Sequence, residues 1–126
     1  MARKRSSQLT DAELRLMNVL WEKGSGTVSE VMDNVVSPVP LAYSTVLTTL
    51  RILENKGYLK HRKEGRAFIY QPVMARESAQ DNAITQLLRR FFGNSPELLM
   101  LNLIENRKLT SDELKRLRKR IVEKEK

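Results

Sequence analysis

Between Pro40 and Tyr70 the spacing of apolar residues changes from a helical period to a strand period, and this change constrains the fold more than any other feature. From Ala42 to Lys56 the residues Val46, Leu50 and Leu53, with Leu47 alongside, occupy one helical face. Ser44, Thr48 and Arg51 line up on another, with Thr45 and Thr49 beside them. Gly57 stands where a helix commonly ends. After it, Leu59 to Lys63 and Arg66 to Gln71 read as two strands joined through Glu64-Gly65, with Phe68, Ile69 and Tyr70 carrying β propensity. A helix feeding directly into a hairpin is an α+β unit.

Two further helices precede it. Thr10-Asp11-Ala12-Glu13 is a capping box, in which the threonine hydroxyl accepts the Glu13 amide and the Glu13 side chain reaches back. The helix it opens carries Leu14, Met17, Val19, Leu20 and Trp21 and stops near Lys23, where Gly24-Ser25-Gly26 follows. Thr27-Val28-Ser29-Glu30 repeats the box, and Val28, Val31, Met32 and Val35 fall at the spacing of one buried stripe. Ser37-Pro38-Val39-Pro40 must be a connector, because neither proline can donate a backbone hydrogen bond. Three helices and a hairpin within residues 1–73 predict a winged helix-turn-helix.

Residues 74–126 differ in character. Ile84, Leu87, Leu88 and Phe91 form a stripe on a long helix that Gly93-Asn94 ends. Ser95-Pro96-Glu97 restarts a helix whose run Leu98, Leu99, Met100, Leu101, Leu103 and Ile104 is apolar almost all round. Thr110-Ser111-Asp112-Glu113 then caps a last helix bearing Leu114, Leu117 and Ile121. These 53 residues are too few for a good core of their own, since below about 70 residues a free-standing core is seldom adequate. Self-association through Ile84, Leu87, Leu88, Phe91, Leu98, Leu101, Leu103, Ile104, Leu114, Leu117 and Ile121 solves the problem. The predicted class is therefore mainly α (α+β): an N-terminal winged helix over residues 1–73 and a C-terminal helical dimerisation region over 74–126.

Charge and composition narrow the function. The 23 Lys and Arg residues outnumber 15 Asp and Glu, for a net charge of +8, which favours a polyanionic partner through counterion release. Nucleic acid and acidic membranes both fit that balance. No apolar run reaches the roughly 18 residues that span a bilayer, and Met1 to Gln8 lacks a following secretory h-region, so the reading is a soluble cytoplasmic protein without membrane insertion. Zero Cys and the single His61 exclude thiolate and His-pair metal sites, and no Gly-rich phosphate loop or His-paired nucleophile is present. The chain reads as no enzyme, with no cofactor and no metal. His61 itself reads as a solvent-facing strand residue.

The period-switching segment has the chemistry of a groove-binding element. Ala42, Tyr43, Ser44, Thr45, Thr48 and Thr49 are small or hydrogen-bonding groups of the kind that approach base edges closely. Arg51 can pair with guanine or hold a phosphate. Between Arg51 and Arg66, six basic residues (Arg51, Lys56, Lys60, Arg62, Lys63, Arg66) stand against Glu54 and Glu64, as a phosphate clamp requires. Two bland readings remain beside this one: a Thr-rich face also suits a solvated helix, and basic residues also protect an edge strand from aggregation. Arg3-Lys4-Arg5 is either a minor-groove arm or a solubilising terminus. A protein-interaction module that meets an acidic partner is the competing function.

The runs LTDAELRLMNVLWEKGSGTVSEVMDNV and LAYSTVLTTLRILENKGYLKHRKEGRAFIYQPV resemble the BlaI/MecI/CopY family of bacterial transcriptional repressors. Its most specific features here are the A-E-L-x-x-M-x-x-L-W pattern of Ala12 to Trp21, the Tyr43-Ser44-Thr45-Val46 start of helix three, and G-R-A-F-x-Y at Gly65 to Tyr70. The resemblance implies a homodimeric repressor that binds a double-stranded DNA operator, with Tyr43, Ser44, Thr45, Thr48 and Arg51 on the recognition helix. Leu47 stands where penicillinase-type members bear an Arg, so their operator sequence does not transfer. The copper-responsive branch uses a Cys-rich site, which this chain lacks. In the β-lactam-responsive branch a membrane sensor pathway leads to proteolysis at an Asn-Phe bond; Asn102-Leu103 is the matching place, with Leu for Phe.

Overall fold

The computed structural model describes residues 8–125, so the Arg3-Lys4-Arg5 arm lies outside the described residues. The chain forms α1 (Asp11–Lys23), β1 (Gly26–Thr27), α2 (Val28–Asn34), α3 (Tyr43–Asn55), β2 (Leu59–Glu64), β3 (Ala67–Pro72), α4 (Arg76–Phe91), α5 (Pro96–Glu105) and α6 (Ser111–Glu125). The three expected capping boxes set their helices. Thr10 caps α1 with Glu13, Thr27 caps α2 with Glu30, and Thr110 bonds Glu113 in the same reciprocal way ahead of α6.

The strands form an antiparallel sheet in the order β1-β3-β2. The residue pattern marks only the hairpin; the third strand is two residues long, pairing Gly26 with Tyr70 and Thr27 with Ile69. No period can show in two residues, so pattern alone does not reveal it. The β2–β3 register runs from Leu59 opposite Pro72 to Glu64 opposite Ala67, which leaves Gly65-Arg66 as a two-residue turn. Gly65 there has φ of 60°, as the first position of a type II′ turn needs.

Two compact units result, Met1–Ile84 and Thr85–Lys126. The first buries Leu16, Met17, Val19 and Leu20 of α1, Val28 and Val31 of α2, Val46, Leu50 and Leu53 of α3, and Tyr58, Leu59 and Tyr70 about the sheet. On α1 the expected apolar face includes Leu14 and not Leu16. In the fold Leu16 is buried and Leu14 is exposed, because the buried stripe is Glu13, Leu16, Met17 and Leu20, at i, i+3, i+4 and i+7. Ala79 of α4 joins the same core. The division between units therefore falls within α4, between Ile84 and Thr85, and not after residue 73 as the change in pattern suggests.

α3 ends in a Schellman motif that leads the chain into the sheet. Gly57 takes φ of 93°, its N–H donates to the Glu54 carbonyl, and the Tyr58 N–H donates to the Leu53 carbonyl. Tyr58 is thereby delivered to the core, almost fully buried. Within the second unit, by contrast, no described residue is buried. Phe91 is 67 % exposed and Ile121 58 % exposed, so α5, α6 and the end of α4 display their apolar stripes.

Candidate nucleic-acid interface

α3 is held by one face and free on the other. Val46, Leu50 and Leu53 are fully buried, each contributing about 1.5 to 3 kcal/mol of burial. Ala42, Tyr43, Ser44, Thr45, Thr48 and Arg51 are exposed. Thr49 is half-buried, and its hydroxyl donates to the Thr45 carbonyl at 2.8 Å, so that donor is spent within the helix. Leu47 packs partly against the core and lines a groove with Tyr43, Ser29, Arg66 and Phe68, between the start of α2, the start of α3 and the hairpin tip.

The basic residues of the hairpin do not share one face. Opposed residues in an antiparallel pair point the same way, so Lys60 and Arg62 lie with Gln71 and Ile69, whereas His61 and Lys63 lie with Tyr70 and Phe68. Arg62 is held on its face, donating from Nε to Glu64 Oε2 and from Nη1 to Gln71 Oε1, each at 2.8 Å. The Lys63 ammonium lies 5.9 Å from the centre of the Phe68 ring on the opposite face. Arg66 occupies the turn. All four are exposed, so the hairpin offers positive charge on both sides and at its tip.

A polar junction ties α3 to the hairpin. His61 Nδ1 lies 2.7 and 2.9 Å from the two oxygens of Glu54, and its ring packs edge-on to Phe68 and tilted against Tyr70. His61 is exposed on its strand, as its position suggests, and it also ties helix to strand through Glu54. Burial raises the Tyr70 hydroxyl above its ordinary pKa and the Glu54 charge adds to this, while the charge and hydrogen bond of Arg51 pull the other way. Arg51 therefore stands at the seam between α3 and the sheet. No local pattern marks these partners, because the pairs form across the turn.

Residues 9–123 match the family described as penicillinase repressor. The chain belongs to the penicillinase repressor family. It is 32 % identical over 114 residues to the penicillinase repressor of Bacillus licheniformis, covering 90 % of this chain and 89 % of that protein. It is 21 % identical over 111 residues to the methicillin resistance regulatory protein MecI of Staphylococcus aureus, covering 88 % of this chain and 90 % of that one. Among solved structures, the DNA binding domain of the repressor BlaI matches with a TM-score of 0.52 and 36 % identity, over 60 % of this chain and 93 % of the other. Family membership makes this a transcriptional repressor and not an enzyme. The winged helix expected from the sequence is the fold that this family's DNA-binding domain shares.

Proposed function

We propose that this penicillinase-repressor-family protein acts in the cytoplasm as a homodimer that binds a pseudo-palindromic duplex operator and blocks transcription. The observation that carries the reading is the division of α3, with Val46, Leu50 and Leu53 sealed in the core and Tyr43, Ser44, Thr45, Thr48 and Arg51 displayed beside a cationic hairpin. α3 enters the major groove, where short hydroxyl side chains and Arg51 meet base edges, and Lys60, Arg62, Lys63 and Arg66 hold phosphates. Among the described residues no helix is long and apolar enough to cross a membrane.

Replacing Lys60, Arg62 and Lys63 with Gln weakens binding to every duplex and flattens the salt dependence, by about 0.9 in the log–log slope for each phosphate no longer neutralised. Thr48→Ala instead erodes discrimination between operator and random DNA. Operator selected from a random duplex pool, then titrated with both variants at several salt concentrations, tests the division of roles. Equal losses on operator and random DNA from both changes contradict it.

The dimer rests on the second unit, which displays Leu87, Phe91, Leu98, Leu101, Ile104, Leu117 and Ile121 and has no buried residue among those described. Repression ends by proteolysis through a membrane sensor pathway, at Asn102-Leu103 in the middle of α5. Asn102 is exposed and its carbonyl accepts the Asn106 N–H at 3.0 Å, so a protease needs α5 to open locally before it can take the bond in extended form. Intact protein after induction of cells that hold the cognate sensor argues against this route.

A further inference from the structure

We propose that the cleft between α1 and the first turns of α4, within the unit Met1–Ile84, binds a small planar aromatic carboxylate. The site goes beyond operator binding and lies apart from the exposed face of α3. It is a cleft of about 300 Å³, walled by Leu9, Leu14 and Trp21 on one side and by Arg76, Gln80 and Ala83 on the other. That volume and lining, apolar walls with a few convergent polar groups, are those of a small-molecule site.

Beyond Arg76 and Gln80, α4 contributes only the methyl side chains of Ala79 and Ala83 to the cleft, one helical turn apart, where longer residues would fill it. The wall is rigid, since the Trp21 indole N–H donates to the Met74 carbonyl at 2.9 Å and fixes the ring. Arg76 lies over that ring, with its guanidinium carbon 5.3 Å from the centroid. Among the described residues Arg76 has no ion-pair partner, although it is only half exposed. A half-desolvated guanidinium at the edge of an apolar slot presents a planar donor fork that matches a carboxylate, and the slot matches the flat ring that would carry it. One cation among apolar walls suits a monoanion better than a phosphate.

Trp21 is the chain's one tryptophan, so its fluorescence reports on the cleft directly. Titration of the full-length protein with benzoate is expected to give a saturable change with an apparent Kd of about 1 mM, the range for a ligand of that size. Benzyl alcohol, of similar shape but neutral, is expected to bind at least about tenfold more weakly. Arg76→Gln removes the preference for benzoate over benzyl alcohol, and Ala83→Leu, which fills an exposed rim position, abolishes the response to both. Arg118→Gln, on α6 and not among the residues that line the cleft, changes nothing. Circular dichroism confirms that each variant is folded. The proposal is overturned by no saturable change up to about 20 mM benzoate, by equal affinity for benzyl alcohol, by an undiminished response in Ala83→Leu, or by inorganic phosphate acting as benzoate does.

Discussion

Glu13 is the one buried charged side chain among the described residues, at 5 % exposure, and its surroundings explain why an acid is tolerated in the core stripe of α1. Oε1 accepts the Thr10 N–H at 2.9 Å and the Lys56 ammonium at 2.8 Å, so the same carboxylate caps α1 and ties it to the end of α3. Burial alone pushes its pKa up, but the Lys56 hydrogen bond, the Thr10 amide and the Lys56 charge outweigh that and hold it below its ordinary value. Removing one partner of such a pair leaves the other desolvated. Lys56→Met is therefore expected to cost about 2 kcal/mol, and Glu13→Gln about 1 kcal/mol because the partly exposed Lys56 can turn to water.

The pH dependence separates this account from simple packing loss. A carboxylate whose folded pKa is depressed contributes stability that is present near neutrality and fades as pH falls through that value. In Lys56→Met the buried carboxyl takes up its proton at higher pH than in the parent, so the deficit in urea unfolding is largest at pH 7 and narrows below about pH 4. A deficit of the same size at both pH values removes the electrostatic explanation.

At the level of elements, two helices end in the same way with different residues. α3 uses Gly57 at φ 93°, whereas α5 places Arg107 at φ 57°, with the Arg107 N–H donating to the Ile104 carbonyl and the Lys108 N–H to the Leu103 carbonyl. A side chain in the left-handed region costs about 1 kcal/mol that glycine does not incur. Arg107→Gly is expected to stabilise the tail by about 0.5 to 1 kcal/mol, read as a rise in the unfolding midpoint. A lowered midpoint shows that the arginine side chain contributes more than its backbone strain removes.

The contrast shows what a sequence discloses. Capping boxes at Thr10, Thr27 and Thr110, the glycine after α3 and the period switch at the hairpin are local signals, each spelled by residues a few positions apart, and all of them form. Glu13 and Lys56 are 43 positions apart, Trp21 and Met74 are 53 apart, and Arg107 carries none of glycine's warning; such features depend on packing that no window reveals. The candidate interface divides likewise. α3's exposed face follows from period, while the splitting of Lys60 and Arg62 from Lys63 follows from register, and the spent Thr49 hydroxyl and the Glu54–His61 tie from three-dimensional contacts.

For the whole molecule, the two units differ in what they bury, and this sets how operator affinity depends on assembly. Unit Met1–Ile84 has a closed core that includes eight nearly inaccessible large side chains, from Tyr58 to Val46, whereas Thr85–Lys126 has no buried described residue. Phe91→Asp together with Leu101→Asp places charges on the displayed stripes without touching the first core. Sedimentation is expected to find the parent dimeric and the double variant monomeric, with the winged helix still folded. On a single half-site the two bind alike, since each presents one α3. On a full operator with half-sites about one helical turn apart, the second contact becomes intramolecular, and the parent gains about 10² to 10⁴ in affinity that the variant lacks. If the variant binds the full operator as tightly as the parent, α3 recognition does not depend on pairing, and the exposed stripes of α4, α5 and α6 serve some contact other than a second copy.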